Sequence, residues 1–204
     1  MIMALSGFRH LPGFLDRQAQ MRLKAALDDV LEVAPLFVPV MPRSGRPFSV
    51  RMTNCGDLGW VSDKAGGYRY QPTHPDTGAT WPAMPRQLTT IWKAVADGAP
   101  APEACLVNWY APGAKMGLHV DRDEEDLSAP VVSVSLGDDA WFRIGGRKRG
   151  DPTEKVLLRS GDVLVLGGDA RLAFHGIDRI LPRTSDLLGE AGRINLTLRR
   201  VRLA

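Results

Sequence analysis

The chain of 204 residues contains only two cysteines, Cys55 and Cys105, and they stand far apart. They form neither a CxxC pair nor a disulfide framework, which excludes a cysteine-stapled secreted scaffold and predicts a reducing, cytoplasmic compartment. No apolar run approaches the roughly 18 residues that a membrane helix needs. The first residues also lack the basic and apolar regions of a secretory signal. The sequence therefore predicts a protein without a membrane partner.

No charge of one sign dominates, because 26 basic residues against 23 acidic ones leave a net charge of +3. This balance is too even to indicate nucleic-acid binding by itself. The 44% of hydrophobic and 24% of charged residues are typical of a globular domain and exclude a disordered chain or a coiled coil. Lysine is scarce, since 20 of the 26 basic residues are arginine. The guanidinium fork suits carboxylate and phosphate; the alternative explanation is a GC-rich coding sequence.

The pattern of residues divides the chain into three parts. Residues 1–37 contain one amphipathic helix, which Pro35 ends. Residues 38–85 are rich in proline and glycine with scattered aromatics, a texture of short strands and turns that is typical of a lid or binding loop. An irregular surface layer is the alternative for this part. Residues 86–204 begin with a second helix that ends near Gly98 and continue as short strands.

The strands predicted after residue 104 are short and separated by glycine-rich turns. They span residues 105–110, 131–136, 141–144, 155–158, 163–166, a stretch near Phe174, and 193–199. Such spacing predicts a β-sandwich or jelly roll with the two helices packed outside it. The expected fold class is α+β, mainly β.

The last predicted strand carries an unusual polar face. Its apolar residues alternate with Arg193, Asn195, Thr197 and Arg199, and alternate side chains of a strand share one face. A face with two guanidinium groups could bind a ligand with two carboxylates, one for each arginine. An ordinary half-exposed strand with its polar residues in solvent is the alternative.

Three residues have the chemistry of a metal site. His119 and Asp121 form an HxD pair whose side chains would point the same way on a strand, and His175 follows in a Phe-His-Gly sequence. Two histidines and one carboxylate match the facial triad of non-haem Fe(II) oxygenases, which leaves coordination positions open. Zinc is an alternative for these ligands, but zinc does not explain the arginine face. His10 and His74 lack such a pattern.

At these residues the sequence resembles the AlkB family of Fe(II)- and 2-oxoglutarate-dependent dioxygenases. The matching segments are NWYAPGAK at 108–115, LHVDRDE at 118–124, APVVSVSLG at 129–137, GDV at 161–163, FHG at 174–176, RINLTLR at 193–199 and, in the lid, MTNCG at 52–56, GW at 59–60 and WPAMP at 81–85. The resemblance covers most of the chain from about residue 50 onward. It implies a double-stranded β-helix (jelly roll) flanked by N-terminal helices, beneath a nucleotide-recognition lid formed by residues 38–85.

The resemblance also implies a ligand set and a chemistry. His119, Asp121 and His175 would be catalytic and bind Fe(II). The residues that would hold 2-oxoglutarate are Asn108, Tyr110, Arg193, Asn195 and Arg199. Iron and 2-oxoglutarate activate O2 in that family with release of CO2 and succinate, and a hydroxylated N-methyl group leaves as formaldehyde. One departure is Leu166, which stands where the closest family pattern has a tryptophan near the iron.

Five further residues match positions that contact substrate in the family. Trp60 would stack on the flipped base, and Tyr68 and Tyr70 would contact it from the lid. Asp123 would supply negative charge for a cationic base; a solvated carboxylate in an acidic run is the alternative. Arg149 would contact a phosphate or base, and a solvated basic turn is its alternative.

The resemblance therefore implies direct-reversal DNA repair. The expected substrates are 1-methyladenine and 3-methylcytosine in single- or double-stranded DNA, with RNA as a further partner, and the expected state is a monomer. Two alternatives stay open at this point. One is a 2-oxoglutarate dioxygenase that acts on tRNA, protein or a small molecule. The other is a non-catalytic jelly roll that binds metal or nucleic acid.

Overall fold

The structure, a computed structural model, describes residues 6–203, and within them twelve strands and two α-helices. In chain order these are β1 (Phe8–Leu11), α1 (Arg17–Val33), β2 (Arg51–Gly56), β3 (Gly59–Asp63), β4 (Gly67–Gln71), α2 (Arg86–Val95), β5 (Ala104–Tyr110), β6 (Met116–His119), β7 (Val131–Gly137), β8 (Asp139–Ile144), β9 (Glu154–Leu158), β10 (Val163–Leu166), β11 (His175–Leu181) and β12 (Arg193–Arg199). A 3₁₀ turn at Gly168–Leu172 precedes β11.

Two antiparallel sheets form the body of the protein. The larger has the order β1-β10-β7-β12-β5-β2, and the smaller has the order β6-β11-β8-β9. Sequential strands alternate between the two sheets over much of the chain, as in a jelly roll. The architecture confirms the predicted α+β, mainly β class. No helix among residues 6–203 is long and apolar enough to span a membrane.

Apolar and polar residues alternate along β12, and the helices pack on the apolar face of the larger sheet. Leu196 and Leu198 are fully buried in a cluster that includes Leu27 of α1 and Trp92 of α2. Burying such side chains stabilises the fold by about 1.5–3 kcal/mol each. The polar residues of β12 must then face the opposite side, toward the smaller sheet. The helices lie on the outer face of the larger sheet, as the sequence predicted.

A second apolar cluster fills the space between the sheets. Leu164 and Leu166 of β10 pack there with Phe142 of β8 and Ile177 of β11. Leu166 is only 2% exposed, so this departure from the family pattern places a packed aliphatic side chain in the inter-sheet core. This inter-sheet cluster holds the smaller sheet against the side of the larger sheet that carries the polar face of β12.

The N-terminal region contains one element that the sequence did not predict. Strand β1 pairs with β10 at the edge of the larger sheet, and four residues are too few for a clear alternation. Helix α1 follows, with Asp16 as its N-cap; its carboxylate accepts a 2.7 Å hydrogen bond from the Ala19 N–H. The helix ends at Val33, two residues before Pro35, which agrees with the predicted helix.

The segment that the sequence assigns to a lid is built from three strands. β2 pairs with β5 and so belongs to the larger sheet, whereas β3 and β4 form a separate two-stranded hairpin. The Asn54 side chain joins the two parts, because its amide donates to the Trp60 carbonyl at 3.1 Å and accepts from the Trp60 N–H at 3.0 Å. The hairpin is thereby fixed to the sheet at Trp60. The division of the chain near residues 37 and 85 stays a prediction.

Candidate active site

Two histidines meet where β6 and β11 pair. His119 is the last residue of β6 and lies opposite His175, the first residue of β11. A Cβ at Gly176 would lie 2.5 Å from the Met116 carbonyl oxygen, so glycine after His175 lets β11 approach β6 closely. The cross-strand pairing therefore places both imidazoles at one end of the smaller sheet.

Asp121 completes the cluster from outside the strands. Its carboxylate oxygens lie 3.6 Å from His119 Nε2 and 3.7 Å from His175 Nε2. One ligand atom from each residue fits within 4.8 Å of the others. The sequence placed His119 and Asp121 on one strand, and this is wrong: β6 ends at His119, and Asp121 lies in the loop that follows. Hydrogen bonds from Arg199 and Arg171, and not strand pairing, hold Asp121 in position.

Both histidines are oriented for metal binding by backbone carbonyls. His119 Nδ1 lies 2.9 Å from the Gly117 oxygen, and His175 Nδ1 lies 3.0 Å from the Ala173 oxygen. Because a carbonyl only accepts hydrogen bonds, each Nδ1 carries the proton and each Nε2 is free to bind a metal. Burial, with the neighbouring His119, lowers the pKa of His175 to about 4. His175 is therefore neutral at neutral pH.

Asp121 is ionised. Burial alone would raise its pKa, but the charge and hydrogen bond of Arg199 outweigh burial and hold the pKa well below its usual value. Arg199 Nη2 donates a 2.9 Å hydrogen bond to Asp121 Oδ2. Two imidazoles and one carboxylate are the donor set of a 2-His-1-carboxylate Fe(II) centre. These three residues fit Fe(II), with the remaining coordination positions left to other ligands.

A buried cation lies at the start of β12. Arg193 is fully buried, and burial lowers its pKa to about 10, so it stays charged at neutral pH. It donates to Ser135 Oγ at 2.7 Å and to the Asp138 carbonyl at 3.3 Å. Both of these acceptors are uncharged, and its Nε has no hydrogen-bond partner within residues 6–203. A buried guanidinium without a carboxylate partner is costly, and an anionic ligand would relieve that cost.

Other polar atoms between Arg193 and Arg199 also lack partners. Asn108 lies opposite Asn195 across the β5–β12 pair, and its Oδ1 accepts no hydrogen bond from the described part of the chain. Arg199 Nη1 donates none to residues 6–203. Tyr110 lies opposite Arg193, and burial raises the pKa of its phenol, which keeps the hydroxyl protonated. The five residues predicted to hold 2-oxoglutarate thus share the inner face of two adjacent strands. The unpartnered N–H groups of Arg193 and Arg199 fit a ligand with two carboxylates.

The hairpin β3–β4 reaches the loop that carries Asp121. Trp60 Nε1 donates a 2.9 Å hydrogen bond to Asp123 Oδ2, and the Tyr70 hydroxyl donates to Glu124. Tyr68 stacks on Trp60 with ring centroids 5.5 Å apart and planes inclined by 21°. The structure therefore brings Trp60, Tyr68, Tyr70 and Asp123 together beside the three candidate metal ligands.

Arg149 lies at the edge of this region. It is exposed, and its guanidinium carbon lies 5.2 Å from the ring centroid of Phe174, the residue that precedes His175. This cation–π contact holds the arginine near the site and leaves its N–H groups directed at solvent.

The sequence interpretation missed two charged residues of the site. Glu124 is 6% exposed and Arg171 is 3% exposed, and their side chains form a 2.9 Å ion pair. Glu124 appeared in the sequence as one of several acids in a row, and Arg171 belonged to no motif. The local sequence offers no signal for this pair, because the two residues lie 47 positions apart.

Comparison with known proteins agrees with this geometry. Residues 7–199 match the 2OG-Fe(II) oxygenase superfamily. The chain is 54% identical over 198 residues to an alpha-ketoglutarate-dependent dioxygenase AlkB homolog of Caulobacter vibrioides, across 97% of this chain and 89% of that protein. It is 47% identical over 178 residues to the alpha-ketoglutarate-dependent dioxygenase AlkB of Escherichia coli, across 85% of this chain and 81% of that protein. The solved structure of OsALKBH1 superposes with a TM-score of 0.81 at 33% identity, covering 95% of this chain and 96% of that one.

Proposed function

Because the chain belongs to the AlkB family of the 2OG-Fe(II) oxygenase superfamily, it is a dioxygenase that uses Fe(II), 2-oxoglutarate and O2, and we propose that it demethylates N-alkylated bases in DNA. The proposed substrates are 1-methyladenine and 3-methylcytosine, which would be restored directly with release of formaldehyde, succinate and CO2. The contact of Trp60 with Asp123 beside the three ligands is the observation that carries the proposal. It joins a flat aromatic face to a negative charge at the reacting centre.

We assign Fe(II) to His119, Asp121 and His175, and 2-oxoglutarate to Asn108, Tyr110, Arg193, Asn195 and Arg199. Once bound, the iron and 2-oxoglutarate supply the oxidation of the methyl group by O2. The residues of the chain bind and orient these groups. The unpaired guanidinium of Arg193 supports its assignment to one carboxylate of 2-oxoglutarate. Arg199 keeps Asp121 ionised through its 2.9 Å hydrogen bond.

Trp60 and Asp123 fit a cationic base. An enzyme that acts on a base must take the base out of the stack, and stacking on an aromatic side chain contributes roughly 1–3 kcal/mol per base. Methylation at N1 of adenine or N3 of cytosine gives the base a positive charge. A tryptophan face attracts such a cation, and the exposed Asp123 carboxylate beside the indole adds charge complementarity.

Tyr68, Tyr70 and Arg149 complete the proposed nucleic-acid contacts. Tyr68 is 50% exposed and extends the stacked face of Trp60 toward solvent. Arg149 projects from the turn between β8 and β9, where its free N–H groups suit a phosphate of the bound strand. Because these contacts read a base and a phosphate, an RNA strand with the same lesion is a further proposed substrate.

We also propose that the protein acts as a monomer in the cytoplasm. Both cysteines are free and buried, which suits a reducing compartment. One edge strand of each sheet, β1 and β6, has only four residues, and short edges resist pairing with a second copy.

The test of this function is turnover with a defined substrate. Protein stripped of metal is supplied with Fe(II), 2-oxoglutarate and O2, and with a single-stranded oligonucleotide that bears one 1-methyladenine. The proposal predicts loss of one methyl mass and release of formaldehyde, both abolished in Asp121→Ala and retained in Asp186→Ala, whose carboxylate is 89% exposed and pairs with Arg17. Succinate without oligonucleotide repair would contradict the proposed substrate. No succinate with iron bound would contradict turnover itself.

A further inference from the structure

The loop that carries Asp121 is held by side chains. Residues 120–130, here called the ligand loop, contain no strand or helix, although they carry the candidate ligand Asp121 and the candidate base contact Asp123. The backbone N–H groups of Glu125 and Asp126 donate to the Val201 carbonyl at 2.8 and 3.1 Å. These two bonds anchor the middle of the loop only.

Arg171 anchors the rest of the ligand loop. Its Nη1 donates to the Asp121 carbonyl at 2.6 Å, its Nε donates to the Ala129 carbonyl at 2.9 Å, and its Nη2 binds Glu124 at 2.9 Å. All three guanidinium nitrogens therefore bind one loop, at its beginning, middle and end. No lysine could make these contacts, because an ammonium group lacks the planar fork.

Glu124 extends this anchor to the lid and to β12. Its second oxygen accepts the Tyr70 hydroxyl of β4 and lies 3.2 Å from Arg199 Nε. Arg199 in turn binds Asp121. One buried carboxylate thus joins the lid, the terminal strand and Arg171. Movement of the lid at Tyr70 would therefore disturb Glu124, which also contacts the arginine that binds Asp121.

Arg171 also connects the two ends of the candidate metal site. It lies in the 3₁₀ turn at Gly168–Leu172, four positions before His175. Its bond to the Asp121 carbonyl therefore ties the segment that leads into His175 to the segment that presents Asp121.

We propose that Arg171 is a positioning residue of the reaction, which fixes the ligand loop so that Asp121 faces the metal while Glu124 holds Tyr70 of the lid. This inference rests on the proposed metal site and names a residue that acts through Asp121 and Glu124. Its loss leaves two buried carbonyls unpaired and Glu124 with one cation in place of two. The loop then loses its fixed relation to both histidines and to the lid.

Cobalt(II) binding tests the first half of the proposal, without oligonucleotide and without turnover. Arg171→Met is compared with wild type and with Arg9→Met, a control that also removes an arginine bound to a carboxylate, Asp97, and to a backbone carbonyl, that of Val95. Loss of a group that supports a metal ligand typically weakens metal affinity by about 10–100-fold. We expect that loss for Arg171→Met, together with a changed visible Co(II) spectrum, and no change for Arg9→Met.

Amide hydrogen exchange tests the second half. The proposal predicts faster exchange over β4, the strand that carries Tyr70, and unchanged exchange over β5 in the folded Arg171→Met protein. Should that variant not fold, Arg171→Lys keeps a cation for Glu124 but cannot bind three acceptors, and it should show the same changes. A merely structural role would lower the melting temperature and leave the Co(II) spectrum intact.

Wild-type Co(II) affinity and an unchanged spectrum in either folded variant would overturn the proposal. So would unchanged exchange over β4. Because neither measurement uses a methylated base, a wild-type protein that binds Co(II) but fails to demethylate would contradict the proposed function alone.

Discussion

The indole nitrogen of Trp60 donates a 2.9 Å hydrogen bond to Oδ2 of Asp123. The bond joins the hairpin β3–β4 to the ligand loop, two residues beyond Asp121. The ring of Tyr68 packs parallel to the indole on one side, and Phe48 meets the indole edge-on at 6.2 Å. The candidate stacking face and its negative partner are thus oriented by the protein itself, which lowers the ordering cost when a base enters.

Replacing Trp60 should separate stacking from the hydrogen bond to Asp123. Trp60→Ala removes both, and the loss of roughly 1–3 kcal/mol of stacking predicts a kcat/KM about 5–150-fold lower for a methylated oligonucleotide. Trp60→Phe keeps an aromatic face and should lie between wild type and Trp60→Ala. Steady-state kinetics measures both. Trp141→Ala, at a half-exposed position of β8, is the control, and a Trp60→Ala enzyme with wild-type kcat/KM would contradict the stacking role.

Asp123→Asn should change lesion preference more than overall activity. Asparagine still offers an oxygen to the Trp60 N–H, but it lacks the charge that favours a cationic base. We expect the ratio of kcat/KM for 1-methyladenine to that for the neutral lesion 3-methylthymine to fall severalfold. Competition between the two oligonucleotides in one reaction measures this ratio directly. An unchanged ratio would show that the Asp123 charge does not select the base.

Arg193→Met should abolish the thermal response to 2-oxoglutarate. A ligand that binds only the folded state stabilises it by about 2.7 kcal/mol at one hundred times its dissociation constant. We expect wild type with Mn(II) to gain several degrees in Tm when 2-oxoglutarate is added, and the variant to gain none. Without ligand, the variant loses no ion pair, because the described partners of Arg193 are the Ser135 hydroxyl and the Asp138 carbonyl. An equal Tm gain in both proteins would exclude Arg193 from the binding site.

Glu103→Gln should destabilise the protein in a pH-dependent way. Glu103 accepts hydrogen bonds from the Val201 and Arg202 N–H groups at 3.0 and 2.8 Å. Burial acts to raise the pKa of Glu103, but these N–H groups and the arginine side chains outweigh burial and lower it below its ordinary value of 4.5.

The stability that depends on ionised Glu103 is therefore present above the unfolded pKa and is lost as the pH falls through the lower folded pKa. We expect Glu103→Gln to cost about 1–3 kcal/mol near neutral pH, and the difference from wild type to shrink below about pH 4. Urea unfolding at several pH values measures this difference. A difference that stays constant from pH 7 to pH 3 would contradict the assignment.

The sequence predicts the surroundings of a side chain best where they follow from a simple period. On β12, leucines alternate with arginines. The leucine face packs against the helices, so the charged arginine face must point to the opposite side of the sheet. The two-residue step from His119 to Asp121 kept their side chains together even though the strand ends between them. Two residues so close in the chain stay near each other whether the chain between them is a strand or a loop.

Tertiary contacts explain what the sequence could not predict. Glu124 looks like its acidic neighbours until Arg171 and Tyr70 are seen to surround it. Neither partner is near it in the chain, so no local pattern predicts its burial. Strand β1 was missed for a similar reason, since its pairing with β10 determines its conformation more than its own residues do.

Oxidative demethylation of an N-alkylated base requires a fixed ratio of products, and this ratio can be measured in one reaction. Succinate and formaldehyde are measured together from the wild-type protein with Fe(II), 2-oxoglutarate, O2 and an oligonucleotide that carries a single 3-methylcytosine. We expect one formaldehyde for each cytosine restored, and succinate at or slightly above that amount. If the oligonucleotide keeps its methyl group, and succinate accumulates at the same rate when the oligonucleotide is left out, oxidative demethylation of this base is contradicted.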